Sequence, residues 1–359
     1  MSSVRERDRP VRVLVIDDSA YVRKVVSEML SKSPFLEVVG TARDGQDGLE
    51  KVADLRPDVV TCDLIMPGLD GVGFIREQMA RGPLPIVVVS IANDSAEQVL
   101  SALDSGAIDF VQKPTALATE RLLEIGDDLI SKVKSAATAA IARVPAAAHA
   151  AAGGSASAGA VTVRQPADAI SVDLVVIGVS TGGPQALKYL FARLPVDFPV
   201  PIAMVMHMPI GYTEVYARRL DELSPLSVSE ARGGETLAPG MALLAPAGRH
   251  LVFARKGAGI VEARLDLRPM DTPHRPSVDV LFQSAAEAYG SRVLGVVMTG
   301  MGSDGLAGAA WIKARGGRIV TEAEESCVVY GMPRAVVEAG LGDASAPLTQ
   351  LMDVIMERL

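Results

Sequence analysis

Two rhythms alternate along the chain. Short runs of Val, Ile and Leu carry few polar breaks, and longer stretches repeat apolar residues every three or four positions. The first kind reads as buried strand and the second as amphipathic helix. In the first third the strands fall at 11–16, 36–39, 57–62, 86–90 and 107–111. Helical spacing fills the gaps, as in Val22, Val25, Val26, Met29 and Leu30, and again over 45–55. Regular alternation predicts an α/β unit with a parallel sheet and helices on both faces, a flavodoxin-like (βα)5 arrangement. Its polar residues gather where strands stop: Asp17-Asp18-Ser19, Asp63, Ser90 and Lys113-Pro114. With strand order 2-1-3-4-5, those stops share the rim where the order reverses, which is where open α/β sheets hold their ligands.

The same grammar returns in the second half. The run 175–179 ends in Ser180-Thr181-Gly182-Gly183-Pro184, where Pro184 opens a helical pattern. The run 202–206 ends in His207-Met208-Pro209, and 211–223 is helical. The stretch 241–265 suggests β-structure with turns, and 277–289 a helix. A further buried run, 293–298, ends in Thr299-Gly300-Met301-Gly302-Ser303-Asp304-Gly305, followed by a helix through Trp311 and a strand over 318–321. This predicts a second α/β unit, doubly wound on a mainly parallel sheet. Between the halves large apolar residues fade into Ala, Gly and Ser, which is linker composition, and His149 there is incidental. The expected division is a disordered N-terminus at 1–10, a first domain at 11–134, a linker at 135–168 and a second domain at 169–359.

Composition narrows the function. Hydrophobic residues make up 49% of the chain and aromatics only 4%, which suits two Val-, Leu- and Ala-built cores rather than a nucleic-acid stacking platform. A net charge of −8 argues against nucleic-acid binding and against anionic membranes. Cys62 and Cys327 sit in different halves and make neither a disulfide framework nor a metal cluster. With no signal-peptide pattern and no apolar run long enough to span a bilayer, a cytoplasmic monomer is the expectation.

Two constellations carry candidate chemistry. Asp17, Asp18 and Asp63 on one rim would repel one another unless a hard divalent cation such as Mg²⁺ joined them, with Lys113 and Ser90 placed to hold an anion beside it. Taken singly, each reads more readily as structural, Asp17 and Asp18 as helix caps and Lys113 as a surface charge, but five at the ends of four strands are far more specific. In the second half Gly178-Val179-Ser180-Thr181-Gly182 has G-x-S-x-G spacing on a strand-to-helix turn, so Ser180 is either a nucleophile or a helix cap. Ser180, His207 and Asp304 each follow a different strand. If those strands are parallel neighbours, the three open on one rim as a Ser-His-Asp triad, with the Thr181 N–H near an oxyanion. Their chain order differs from that of the α/β-hydrolases. A rival reading takes Gly300 to Gly305 as a G-x-G-x-x-G dinucleotide loop, with Glu322 as the ribose-binding acid. That loop comes late for such a domain and leaves Ser180 and His207 unexplained. A DNA-binding output would be short, basic and helical, unlike this half.

The segments Val15-Ile16-Asp17-Asp18-Ser19, Cys62-Asp63-Leu64-Ile65-Met66-Pro67 and Asp109-Phe110-Val111-Gln112-Lys113-Pro114 resemble the response-regulator receiver. The segments Ile177 to Gly183, Met206-His207-Met208-Pro209, Arg275-Pro276-Ser277-Val278-Asp279, Val297 to Gly305 and Val329-Tyr330-Gly331-Met332-Pro333 resemble the catalytic domain of the chemotaxis protein-glutamate methylesterases. The resemblance implies Asp63 as phosphoacceptor, Asp17 and Asp18 as further Mg²⁺ ligands, and Ser90, Phe110 and Lys113 as the residues that relay phosphorylation. It implies Ser180, His207 and Asp304 as nucleophile, base and orienting acid, with Thr181 and Met301 on the oxyanion side. The implied activity is hydrolysis of glutamate γ-methyl esters on chemoreceptors, releasing methanol, with glutamine deamidation beside it. A chemotaxis histidine kinase would be the phosphodonor, the protein would be recruited to receptor arrays, and the unphosphorylated receiver would cover the active-site rim. The chain departs from the family at Ile91-Ala92-Asn93-Asp94 and in its Ala-rich linker.

Overall fold

The computed structural model describes residues 9–91, 96–113, 119–138 and 171–359. Most of the N-terminal segment, residues 92–94 of the departure after Ser90, Pro114 and nearly all of the linker with His149 lie outside the described residues. The chain divides into two compact units, Met1–Ala142 and Arg143–Leu359.

In the first unit β1 (Val11–Ile16), α1 (Ala20–Leu30), β2 (Leu36–Ala42), α2 (Gly45–Leu55) and β3 (Val59–Cys62) come in strict alternation. They are followed by α3 (Gly71–Arg81), β4 (Ile86–Ile91), α4 (Ala96–Asp104), β5 (Asp109–Lys113) and α5 (Thr119–Thr138). The five strands form one parallel sheet in the order β2-β1-β3-β4-β5, as expected. Helices begin where a side-chain oxygen can accept an open N–H: Ser19 accepts from Val22, Asp44 from Asp47 and Asp70 from Gly73. The fifth strand starts two residues later than the 107–111 run suggests. Ala107 is still tied to the end of α4, its N–H donating to the Ala102 carbonyl, so that apolar stretch begins in a turn.

The second unit opens with β6 (Leu174–Val179), α6 (Gly183–Phe191), β7 (Ile202–Met206), α7 (Thr213–Asp221), β8 (Ser227–Glu230) and β9 (Met241–Leu244). A hairpin of β10 (His250–Arg255) and β11 (Val261–Asp266) then leaves the main sheet. The chain continues through α8 (Val278–Tyr289), β12 (Val293–Val297), α9 (Leu306–Ala314), β13 (Arg318–Glu322), α10 (Met332–Glu338), β14 (Ala344–Ala346) and α11 (Leu348–Met356). Seven parallel strands lie in the order β14-β13-β12-β6-β7-β9-β8. The edge strands β8 and β14 escape the apolar pattern because they are short and half exposed. The central strand β6 is buried at every position. Helix α8 lies hard against it: a Cβ at Gly178 would stand 2.2 Å from Val278 Cγ1. The first glycine of the G-x-S-x-G pattern is therefore a packing glycine.

Candidate functional site

Strand β6 sits between β12 and β7; from β6 the chain crosses to β7 on one side, and from β12 it crosses to β13 on the other. That makes its carboxyl end the topological switch point, where two loops separate and leave a crevice. Main-chain bonds carry the register past the strand ends. Ser180 N–H donates to the Thr299 carbonyl (3.0 Å), His207 N–H to that of Val179 (3.2 Å), and Met298 N–H to that of Gly178 (2.9 Å). The three loops are thus fixed to one another before any side chain is considered.

On this frame Ser180 Oγ lies 3.2 Å from His207 Nδ1, and His207 Nε2 lies 2.8 Å from Asp304 Oδ2. The side chains of His207 and Asp304 are about nine-tenths buried. Asp304 is held on both oxygens. Ser277 Oγ and the Asp279 N–H donate to Oδ1, each at 2.9 Å, and the Val278 N–H donates to Oδ2 at 2.8 Å. Burial alone would raise its pKa. The bond from His207 and the two backbone donors outweigh burial and hold the carboxyl well below its ordinary value, so it is an acceptor only. Nε2 therefore carries the ring hydrogen and Nδ1 is left as acceptor for the serine hydroxyl.

Thr181 and Met301 flank the same spot. Thr181 is buried in the turn before α6, and Met301 follows Gly300 in the loop after β12. A Cβ at Gly300 would stand 2.8 Å from Ser180 Cβ and 3.1 Å from its nitrogen, so only glycine lets the two loops touch here. The loop is pinned from behind, with Gly300 N–H donating to Val329 and its carbonyl accepting from Gly331 and Met332.

In the first unit Asp17, Asp18 and Asp63 bring one carboxylate oxygen each within 4.8 Å of one another. Lys113 Nζ lies 2.6 Å from Asp17 Oδ2 and 2.9 Å from Asp63 Oδ2. Burial pushes the Asp63 pKa up to about 6, with the Asp17 charge adding to it, against the pull of Lys113. Burial works against the charged form of Lys113, but Asp17 and Asp63 overcome it and raise its pKa. All-oxygen donors with a negative surplus suit a small hard cation. Ser90 is buried on β4, where it pairs in register with Gln112 of β5. Phe110 is buried on β5 under Lys132, whose ammonium donates to the Phe110 carbonyl at 2.8 Å. The same ammonium stands 5.7 Å from the ring centroid.

The family model described as CheB methylesterase matches residues 175–355, and that of the response regulator receiver domain matches 13–125. A protein-glutamate methylesterase/protein-glutamine glutaminase of Myxococcus xanthus is 53% identical over 347 residues, covering 96% of this chain and 97% of the relative. This chain belongs to the CheB methylesterase family. A CheB-family relative from Symbiobacterium thermophilum, bearing the same name, is 47% identical over 97% of this chain and 96% of its own length. The solved CheB methylesterase catalytic domain of Thermotoga maritima is 42% identical, with a TM-score of 0.51, covering 53% of this chain and all of that one.

Within this CheB-family fold the dinucleotide reading of Gly300 to Gly305 finds no room. The N-terminus of α9, where a pyrophosphate would sit, is already occupied: Gly305 and Gly308 N–H both donate to Asp279 Oδ1, at 2.8 and 2.7 Å. Glu322 is fully buried and accepts from Thr299 N–H and Ser326 Oγ, so it cannot meet a ribose. Gly300 serves the close approach to Ser180 instead, while Gly302 and Gly305 take the left-handed backbone of the turn, at φ 82° and 100°.

Sequence reasoning passed over three neighbours of the triad geometry. Ser277 and Asp279 lay inside a quoted motif without a role. His274 lies in a loop rich in Pro and Arg, which signals nothing by itself, yet its ring stacks on His207 with centroids 3.9 Å apart and planes 21° apart. The only available signal was the S-x-D start of a helix, which announces a cap but not what it caps.

Proposed function

We propose that this chain hydrolyses glutamate γ-methyl esters on chemoreceptors, with methanol as product, and that phosphorylation of Asp63 raises the rate. The observation that carries the reading is the continuous hydrogen-bond path Ser180–His207–Asp304 at the switch point of the sheet. Ser180 Oγ attacks the ester carbonyl while His207 Nδ1 takes its proton. The imidazolium so formed is stabilised by Asp304 on Nε2. Main-chain donors of the Thr181 and Met301 turns face the developing oxyanion. His207 returns the proton to the departing methoxide, and water then resolves the acyl-enzyme by the same route in reverse. With an amide in place of the ester the leaving group is ammonia, which gives glutamine deamidation on the same residues.

In the receiver, Asp17, Asp18 and Asp63 would hold Mg²⁺, which offsets charge at the phosphoryl group during transfer to Asp63. Lys113 and Ser90 meet the new phosphoryl oxygens, and Phe110 relays the change. A chemotaxis histidine kinase is the proposed donor. The protein acts as a monomer in the cytoplasm, recruited to receptor arrays, with residues 135–168 as linker between the domains at 11–134 and 169–359. Among the described residues no helix is long and apolar enough to cross a membrane.

The test is methanol release from methylated receptor membranes, with and without a small-molecule phosphodonor and Mg²⁺. The proposal requires release that depends on Ser180 and is stimulated by the phosphodonor through Asp63. Release that survives Ser180→Ala unchanged would refute it.

A further inference from the structure

Each of two acids closes the helix that the other begins. Asp304 stands just ahead of α9, yet its carboxylate collects the Ser277 hydroxyl and the Val278 and Asp279 N–H groups, the open end of α8. Asp279, in the first turn of α8, returns Oδ1 to the Gly305 and Gly308 N–H groups, the open end of α9. Two positive helix ends are thus cross-capped by carboxylates. The helices meet closely at this point, since a Cβ at Gly308 would lie 2.9 Å from Asp279 Cα.

No proton of the proposed reaction passes through Asp279. We propose that Asp279 is a positioning residue: by tying the first turn of α9 to α8 it sets Asp304 at hydrogen-bonding distance from His207 and puts a second negative charge behind the imidazole. This inference rests on the Ser180–His207–Asp304 reading and deepens it. The loop from Thr299 to Asp304 carries both the orienting acid and the Met301 turn. Displacement by about 1 Å at such a place costs on the order of a hundredfold in rate.

The charged and titratable groups around the pair come from four segments. Asp304 faces Asp279 from the loop before α9, with His207 beyond it after β7. His250 of β10 accepts the Ser277 N–H on Nδ1, and the loop before α8 brings Arg275 and His274, whose ring stacks on His207. Burial pushes the Asp279 pKa up to about 6, with the Asp304 charge adding to it, against its two backbone donors. Its charge is therefore present at pH 8 and fades as the pH falls through 6.

The experiment compares wild type, Asp279→Ala, Asp279→Asn and Ser180→Ala as full chains, measuring methanol release between pH 5.5 and 9. Asp279→Ala should lower kcat by about 10- to 100-fold with KM held within about twofold. Asp279→Asn keeps an oxygen for the Gly305 and Gly308 N–H groups and should recover kcat to within about threefold at pH 8. It should also move the acid limb of kcat/KM to lower pH, because losing a negative charge makes the imidazolium less stable. Wild-type kcat in Asp279→Ala would overturn the proposal. So would equal impairment of both variants with the acid limb unmoved. If Asp279→Ala does not fold, Asp279→Asn decides alone, and an unmoved limb overturns the proposal. Retained activity in Ser180→Ala would count against the nucleophile instead, so the two failures are told apart.

Discussion

The two α/β units place their polar residues on the same kind of rim and leave them in opposite electrical states. In the first, three carboxylates face one ammonium, and burial, helped by the Asp17 charge, keeps the Asp63 pKa raised against Lys113. In the second, Asp304 is met by an imidazole, a hydroxyl and two backbone N–H groups, and its pKa falls. Sheet topology chooses the location in both. Charge balance then separates them: a surplus of carboxylates suits a hard cation, whereas a carboxylate with both oxygens paired suits holding an imidazole in one tautomer.

The largest effect should come from breaking the paired chain at its start. Ser180→Ala should reduce methanol release by at least about 10⁴-fold while phosphodonor labelling of Asp63 proceeds at the wild-type rate. Loss of both activities together would mean that the two rims do not work independently.

Next comes the acid. Asp304→Asn must turn an NH₂ group toward N–H donors whichever way it flips, because both oxygens of the native carboxylate accept from the backbone. A rate loss of about 10³- to 10⁴-fold is expected, with KM little changed. Near-wild-type kcat would show that the pairing of Asp304 is structural only.

The surplus rim is sharpened by Asp63→Asn, which should abolish phosphodonor stimulation and leave basal esterase activity in place. It should also change the pH dependence of stability. Between the ordinary value of 3.8 and about 6, the folded chain holds more protons than the unfolded one. Stability contributed by this group therefore falls as pH rises through that window. Without Mg²⁺ the variant should be more stable at pH 7 by about 1 kcal/mol, after allowance for solvent screening. Hydrogen-exchange protection of the receiver amides between pH 4.5 and 7.5 measures this, and a parallel pH slope in both proteins would contradict it.

The smallest effect concerns His274. Its ring is stacked on His207 and limits how that imidazole can turn. His274→Ala should lower kcat by about three- to tenfold, the scale of one ring–ring contact, and His274→Phe should restore most of it. Equal losses in both would point to a polar role for His274.

Strand ends were legible because apolar runs stop abruptly, and polar residues at those stops have one direction to face. This is why Asp17, Asp63, Lys113, Ser180 and His207 could be named from spacing alone. Neighbours recruited from other segments were harder. Nothing local to Ser277 or Asp279 says that Asp304 lies against them, since that depends on how α8 crosses the sheet. The nitrogen that faces the serine was equally hidden, because it is set by which side of the ring Asp304 approaches. Gly300 to Gly305 has the spacing of a dinucleotide loop without its site, which its late position in the chain already argued against. Glycines mark close approach or a left-handed turn, and here Gly300 meets the Ser180 loop while Gly302 and Gly305 turn the chain.

The pairing of Val175 with Leu294 at the centre of the larger sheet has a consequence for biosynthesis. The first unit holds all its strands within residues 11–113 and can close soon after that length has left the ribosome. Strand β6 must wait for β12 to be made, with one apolar edge uncovered meanwhile. A chain ending between residues 138 and 293 would therefore carry a finished receiver and a hydrolase half whose strand β6 lacks its β12 partner.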